Sequence, residues 1–261
     1  MNVSGATVLL TGASSGLGAA LARVLAARGA RLLLAGRNAA RLRTVAAETG
    51  GVALEADLAD PDGPPALAKA AMEAVAIDSP DGPPATGHID ILINNAGVGW
   101  AGPLTDMSTA QVARLVAVNL TAPIELTRLL TPALSSGERG MVVFVSSIAG
   151  ATGVLQEATY AATKAGLSCF AESLRYELAD SGVGVSVIVP GVVDTPFFAR
   201  RGQPYTRKAP VARAAPKVAR AALSAIEREQ PVAFIPRWLA FPAWLHGAAP
   251  GTFRVLAARF G

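Results

Sequence analysis

Tyr160 and Lys164 stand four residues apart in YAATK, within a helix-compatible run, so their side chains can share one helical face. A nearby ammonium favours tyrosinate over neutral tyrosine and lowers the cost of moving the phenolic proton near neutral pH. A tyrosine so placed can exchange a proton with a substrate oxygen. The pair follows an apolar run, VVFVSS, and a glycine-broken loop. On a mere connection both would be ordinary surface residues, so the rest of the chain must supply something for them to act on.

Gly12, Gly16 and Gly18 lie in TGASSGLG at 11 to 18, directly after the apolar run ATVLL and at the mouth of LGAALARVLAARG. Missing Cβ atoms permit a tight turn and close backbone approach, and N–H groups at a helix start can face a diphosphate. The spacing departs from G-x-G-x-x-G, so the glycines alone leave a structural turn open. A dinucleotide without a 2'-phosphate is often held by an acidic residue near the end of the second strand. Here that strand ends AGRN, with Arg37 after Gly36 and no carboxylate. A guanidinium binds phosphate through several donors, so NADP(H) is expected over NAD(H), which stays possible. Arg31 and Arg41 hold less specific positions.

These residues need a scaffold, and the chain repeats strand then helix along its length. Seven apolar runs read as strands: ATVLL, RLLLAG, VALEAD, IDILINN, MVVFVS at 141 to 146, VGVSVIVPG at 183 to 191 and PVAFIP at 231 to 236. Continuous apolar strands fit a sheet covered on both faces. The expected fold is α/β, a doubly wound Rossmann-like sheet of seven mostly parallel strands with helices on both sides.

The 261 residues, 51% hydrophobic and 16% charged, suit one domain spanning 1 to 261 and exclude general disorder. A net charge of +4 spread along a chain without a nucleic-acid motif makes nucleic acid an unexpected partner. Cys169 is the sole cysteine, and His88 and His246 are far apart, so no disulfide or metal site is expected. The N-terminus lacks a secretory pattern and no apolar run reaches about 18 residues, which favours a soluble cytoplasmic protein. Three stretches depart from the alternation. Residues 77–88, rich in Pro, Gly and Asp, read as a surface insertion. Residues 195–226 carry seven Lys or Arg and no Asp or Glu, and read as a substrate lid that could favour an anionic ligand. Residues 236–261 form an apolar extension with two of the three tryptophans, suited to closing a pocket, packing on a partner subunit or touching a membrane surface.

From residue 5 to 236 the chain resembles the short-chain dehydrogenase/reductase family of the single-domain type. TGASSGLG, DL at 57 to 58, NNAG at 94 to 97, Asn119, Ser147, YAATK at 160 to 164 and PGVVDT at 190 to 195 carry the resemblance. It implies a nicotinamide cofactor and a catalytic set of Asn119, Ser147, Tyr160 and Lys164. It assigns the cofactor to Gly12, Ser14, Ser15, Gly16, Leu17 and Gly18, to Asp57 at the adenine with Leu58 beside it in sequence, and to Asn94, Ala96 and Gly97 at the cofactor-facing end of the fourth strand. Pro190, Gly191, Val193 and Thr195 fall on the nicotinamide side, Lys164 on the nicotinamide ribose, and Asn119 beside a water in the proton path. Ser147, 13 residues before Tyr160, can hydrogen-bond the same substrate oxygen. Trp100, Leu155, Phe197 and Phe198 could line a pocket with Ser147 and Tyr160. The implied activity is NADP(H)-dependent interconversion of a carbonyl and a secondary alcohol on a medium or large hydrophobic substrate. The alternatives are a catalytically weak cofactor-binding scaffold, or an epimerase or dehydratase that retains its cofactor. A homodimer or homotetramer is the assembly the resemblance implies.

Overall fold

Short runs rich in valine, leucine and isoleucine have no polar face to offer water, and the chain buries them in a parallel sheet covered on both sides. The computed structural model describes residues 1–77, 88–136, 139–206 and 210–260. The strands are β1 (Thr7–Thr11), β2 (Arg31–Gly36), β3 (Val52–Glu55), β4 (Ile91–Asn94), β5 (Gly140–Val145), β6 (Val183–Pro190), β7 (Val193–Asp194), β8 (Arg213–Ala214) and β9 (Val232–Ile235). Seven of them form one sheet in the order β3-β2-β1-β4-β5-β6-β9, every pair parallel, while β7 and β8 make a small separate ribbon. This is the Rossmann-like α/β fold expected from the sequence, with the strands displaced by only a residue or two.

The helices are α1 (Gly16–Ala26), α2 (Ala39–Thr49), α3 (Gly63–Ile77), α4 (Thr109–Val116), α5 (Ala122–Ser135), α6 (Ile148–Thr152), α7 (Ala158–Glu177), α8 (Phe197–Arg200), α9 (Ala215–Glu227), α10 (Ala240–Ala248) and α11 (Pro250–Phe260). Strand side chains alternate between the two faces. Leu32 and Leu34 pack with Leu21, Leu25, Leu223 and Ile226, so α1 and α9 cover one face. Leu33 and Leu92 pack with Leu67, Leu126, Leu130 and Leu167, so α3, α5 and α7 cover the other. β1 sits between β2 and β4, so the chain leaves β1 for one side of the sheet and returns to its other side after β3. Such a switch point opens a crevice at the carboxyl ends of the strands.

Residues 78–87, the body of the expected insertion, lie outside the described residues. The 195–226 stretch divides in two. Its first part runs along the cleft described below, whereas α9 buries Val218, Ala219, Ala222, Leu223, Ala225 and Ile226 against the sheet. An apolar stripe of that period cannot remain on a mobile cover, so the helical half is scaffold. In the 236–261 extension, Phe241 and Trp244 stack with ring centroids 6.1 Å apart and stay mostly exposed. Among the described residues no helix is long and apolar enough to cross a membrane.

Candidate active site

A cleft of about 1790 Å³ runs along the carboxyl ends of the central strands. At one end lies the glycine turn. No side chain caps α1 and its first turn holds no acid, which leaves the helix N–H groups open to an anion. A Cβ on Gly18 would lie 2.1 Å from the Gly12 carbonyl oxygen and 2.6 Å from Asn95 Nδ2, so only glycine lets the turn fold this tightly. Asn95 Nδ2 donates to the Thr11 carbonyl at 2.9 Å, and Thr11 Oγ1 accepts from the Asn95 and Ala96 N–H groups at 3.0 Å each. The ends of β1 and β4 are thereby joined. Ser14 lies against Gly36, where a Cβ would come 3.3 Å from the serine Cβ. Beyond Gly36, Arg37 Nε stands 3.9 Å from Asp57 Oδ1, an exposed pair that leaves the guanidinium available.

At the other end of the cleft α7 presents Tyr160 and Lys164, 8% and 3% exposed, on one face. Lys164 Nζ donates to the Val145 carbonyl at 2.9 Å. Gly97 leaves room on its other side, since a Cβ there would lie 3.5 Å from Nζ and 3.4 Å from Asn119 Oδ1. Ser147 caps α6, its Oγ accepting from the Ala149 N–H at 3.2 Å, and its hydroxyl acts on the Tyr160 phenol. Asn119 sits in a π-helical turn, Ala117–Thr121, between α4 and α5. Its Oδ1 accepts from Val98 N at 2.8 Å, and its Nδ2 donates to Val98 O at 2.9 Å and Thr163 Oγ1 at 3.2 Å. The side chain ties the exit of β4 to α7.

Burial dominates the electrostatics here, and the Tyr160 pKa is pushed up to about 12, chiefly by that burial. The Ser147 hydroxyl pulls it down, Glu157 raises it and Arg201 lowers it. Burial likewise lowers Lys164 to about 8. Before any ligand enters, Tyr160 is a firmly protonated phenol, the form a proton donor requires.

Between about pH 8 and 10.5 the unfolded chain holds the lysine proton that the folded chain has released, so stability should climb with pH. Above pH 10 the unfolded tyrosine ionises first, and stability should fall as pH approaches 12. Lys164→Met keeps the apolar stem and removes the buried ammonium. Thermal melts of the ligand-free variant at pH 7 are expected to gain roughly 2 kcal/mol, several degrees in Tm, over the parent. That gain should vanish by about pH 10.5; a parent-variant difference that is flat across the window contradicts the buried-ammonium account.

The residues singled out in the sequence line this cleft with two exceptions, Asn94 and Asn119. Asn94, assigned to the cofactor-facing end of β4, points instead under α5, where its Nδ2 donates to Thr127 Oγ1 at 3.2 Å. Its Oδ1 has no hydrogen-bond partner among the described residues. Strand parity sends neighbouring side chains to opposite faces, and Asn95 takes the place at the cleft. The sequence marked this only through the doubled asparagine.

The outer wall comes from the last third of the chain. The Phe197 ring lies 5.6 Å from the Tyr160 ring, and Phe198 packs on Tyr205 at 5.2 Å. Arg201 lies over Phe198 at 4.6 Å and forms a largely buried ion pair with Glu157, at the start of the Tyr160 helix. Trp238, Pro242, Phe253 and Leu256 close the rim. Linear sequence gave no sign of the Arg201–Glu157 pair, nor of a hydrogen bond from Arg200 Nη1 to Ser15 Oγ at 2.9 Å.

Comparison with known proteins agrees with this architecture. The family described as short chain dehydrogenase matches residues 6–206. The dehydrogenase/reductase SDR family member 7B of Bos taurus is 38% identical over 204 residues, 74% of this chain and 59% of the relative. The chain therefore spans about six tenths of that curated relative's length. A short-chain dehydrogenase from Sphingobium yanoikuyae, solved in complex with NADPH, superposes with a TM-score of 0.75 at 31% identity, covering 94% of this chain and 96% of that one. A short chain dehydrogenase/reductase from Burkholderia phymatum in complex with NAD gives a TM-score of 0.79 at 26% identity, covering 95% and 94%. With most of its length matched and its fold shared, the chain belongs to the short-chain dehydrogenase/reductase family.

Proposed function

We propose that the protein is an NADP(H)-dependent oxidoreductase that interconverts a carbonyl and a secondary alcohol on a medium or large hydrophobic substrate. The observation that carries this reading is one continuous cleft with the glycine turn at one end and Ser147, Tyr160 and Lys164 at the other. The tight Gly12–Gly18 turn and the uncapped start of α1 fit a diphosphate. Gly97 leaves space beside Lys164 Nζ for a ribose hydroxyl. A nicotinamide dinucleotide held there supplies a hydride to a carbonyl carbon in reduction and accepts it in oxidation.

The chain's own residues handle the oxygen. Tyr160 gives its proton to the carbonyl oxygen as negative charge develops there, and Ser147 donates a hydrogen bond to the same oxygen. Lys164, charged below about pH 8, stabilises the phenolate left behind. Asn119 acts by position, holding Val98 and Thr163 together beside that path. Trp100, Leu155, Phe197 and Phe198 give the substrate end an apolar lining.

The Sphingobium relative was solved with NADPH and the Burkholderia relative with NAD, so similarity leaves the cofactor choice to local chemistry. Arg37, lining the cleft after β2, favours the 2'-phosphate. Arg37→Ala is expected to weaken NADPH roughly tenfold or more and leave NADH nearly unchanged, read by cofactor fluorescence titration. Equal affinity of the parent for both cofactors, or equal weakening by the variant, overturns the preference. Activity is tested by NADPH consumption across size-graded ketones and aldehydes with product identification. A product formed without net cofactor consumption would favour an epimerase or dehydratase, and cofactor binding without any turnover would favour a scaffold.

A further inference from the structure

The short helix α8 and the residue after it reach three parts of the cleft at once. Phe197 meets the Tyr160 ring, Arg200 meets Ser15 of the glycine turn, and Arg201 pairs with Glu157. The Arg200–Ser15 hydrogen bond joins residues 185 positions apart. Ser15 follows Ser14, whose side chain abuts Gly36 at the end of β2; Arg37 comes next in the chain and Arg41 lies in the first turn of α2. All three guanidiniums line the cleft.

Like charges gathered in this way repel unless something negative sits among them. Asp57 stands 3.9 Å from Arg37 and is already engaged by the Ala59 N–H. Among the described residues, neither Arg41 nor Arg200 has a carboxylate within ion-pair distance. The crowding registers on Arg200, whose hold on its proton is weakened by partial burial and then by Arg41 and Arg37. A phosphate dianion placed among them would remove the repulsion and accept several charge-assisted hydrogen bonds.

We propose that Arg200 is a ligand of the adenosine 2'-phosphate together with Arg37 and Arg41, and that this phosphate thereby fastens residues 197–206 over Tyr160. The inference rests on the NADP(H) reading above and adds to it a coupling between cofactor and substrate wall. Arg37 and Arg41 decide between the two phosphates a dinucleotide offers. Arg37 follows β2 and Arg41 lies in the first turn of α2, whereas the diphosphate faces the open N–H groups of α1, whose N-cap Ser15 Arg200 also touches. The segment so fastened has a prepared seat, because a Cβ on Gly99 would come 2.6 Å from Phe197 Cζ and 3.1 Å from Arg201 Cβ. NAD(H), lacking the third phosphate, would leave Arg200 with only its hydrogen bond to Ser15, and the wall that carries Phe197 and Phe198 would lack the added phosphate anchor.

The test combines affinities with hydrogen exchange on the full chain. Dissociation constants for NADPH and NADH are measured on the parent, Arg37→Ala and Arg200→Ala, and amide exchange is followed in peptides covering 197–206. Arg200→Ala is expected to weaken NADPH roughly tenfold while NADH changes less than about twofold, which also shows that the variant is folded. In the parent, NADPH should slow exchange in 197–206 more than saturating NADH does, and the variant should lose that difference. Suppose the parent prefers NADPH and Arg37→Ala removes the preference. Equal weakening of both cofactors by Arg200→Ala would then place Arg200 on the shared diphosphate, and no weakening would place it on neither. Either result, or equal exchange protection by the two cofactors, overturns the proposal and leaves the NADP(H) reading intact. A parent that binds both cofactors alike overturns that reading and the proposal with it.

Discussion

Tyr160→Phe is expected to cut turnover by roughly a hundredfold to ten-thousandfold on every active substrate while NADPH binds within about twofold of the parent. The ring stays, so its packing against Phe197 and the apolar floor of the cleft are kept. Only the hydroxyl is lost, and with it the proton donor to the substrate oxygen. Because the Tyr160 pKa is raised to about 12 by burial, the donor is fully protonated throughout the working range. Lys164 Nζ donates to the Val145 carbonyl, and Glu157 is paired with Arg201. Initial rates on several ketones, paired with cofactor titrations of the same preparation, provide the measurement. Near-parent turnover across those substrates removes Tyr160 from the mechanism; loss of NADPH binding in step with turnover would assign it to the cofactor instead.

Gly18→Ala is expected to abolish useful cofactor binding, raising Kd by about a hundredfold or more, and to destabilise the fold by ~1–3 kcal/mol. Helix propensity alone favours alanine by about 0.8–1 kcal/mol at a helical position. Sterics win because the new methyl would lie 2.1 Å from the Gly12 carbonyl oxygen and 2.8 Å from its carbon, both backbone atoms. The turn would have to open, and Asn95, 2.6 Å from the same methyl, would lose its bond to Thr11. Gly50→Ala supplies the contrast. That residue ends α2 at φ 66 with open space around it, so alanine there costs about 1 kcal/mol of left-handed strain and should leave cofactor affinity alone. Melting temperature and NADPH titration of the two variants separate damage to the turn from damage to the fold; Gly18→Ala behaving like Gly50→Ala would mean that the turn is not the cofactor's seat.

The seven strands were legible because each is a short, bounded apolar run, and the alternation with helices left few other ways to cover them. Most of the cleft followed from this, since residues at strand ends are carried to one side of the sheet. What escaped the sequence has identifiable physical causes. Asn94 ends β4 as expected, but one step of strand parity turns its side chain toward Thr127 and leaves Asn95 lining the cleft. The π-helical turn at Ala117–Thr121 is a change of backbone hydrogen bonding that no residue type announces. In 195–226 the basic residues overlie an apolar stripe, since Val218, Ala222 and Ile226 have helical spacing and are buried in α9. Burial governs the pKa values of Tyr160 and Lys164, and a spacing of four residues says nothing of burial. The Arg200–Ser15 and Arg201–Glu157 contacts join distant segments and leave no local trace.

The origin of the cleft's walls matters to anyone wishing to redirect the protein. The groups proposed to hold cofactor and move protons, from Gly12 to Lys164, project from the ends of the sheet or from helices packed on it. The outer lining of the cleft, such as Phe198, Tyr205, Trp238, Phe253 and Leu256, comes from later segments outside the strands of the main sheet. Reactivity and taste are thus written on different parts of one polypeptide. A library of variants confined to the second group samples new substrates while the reacting geometry stays fixed, and inherited sequence drift could have done the same at little risk to the chemistry.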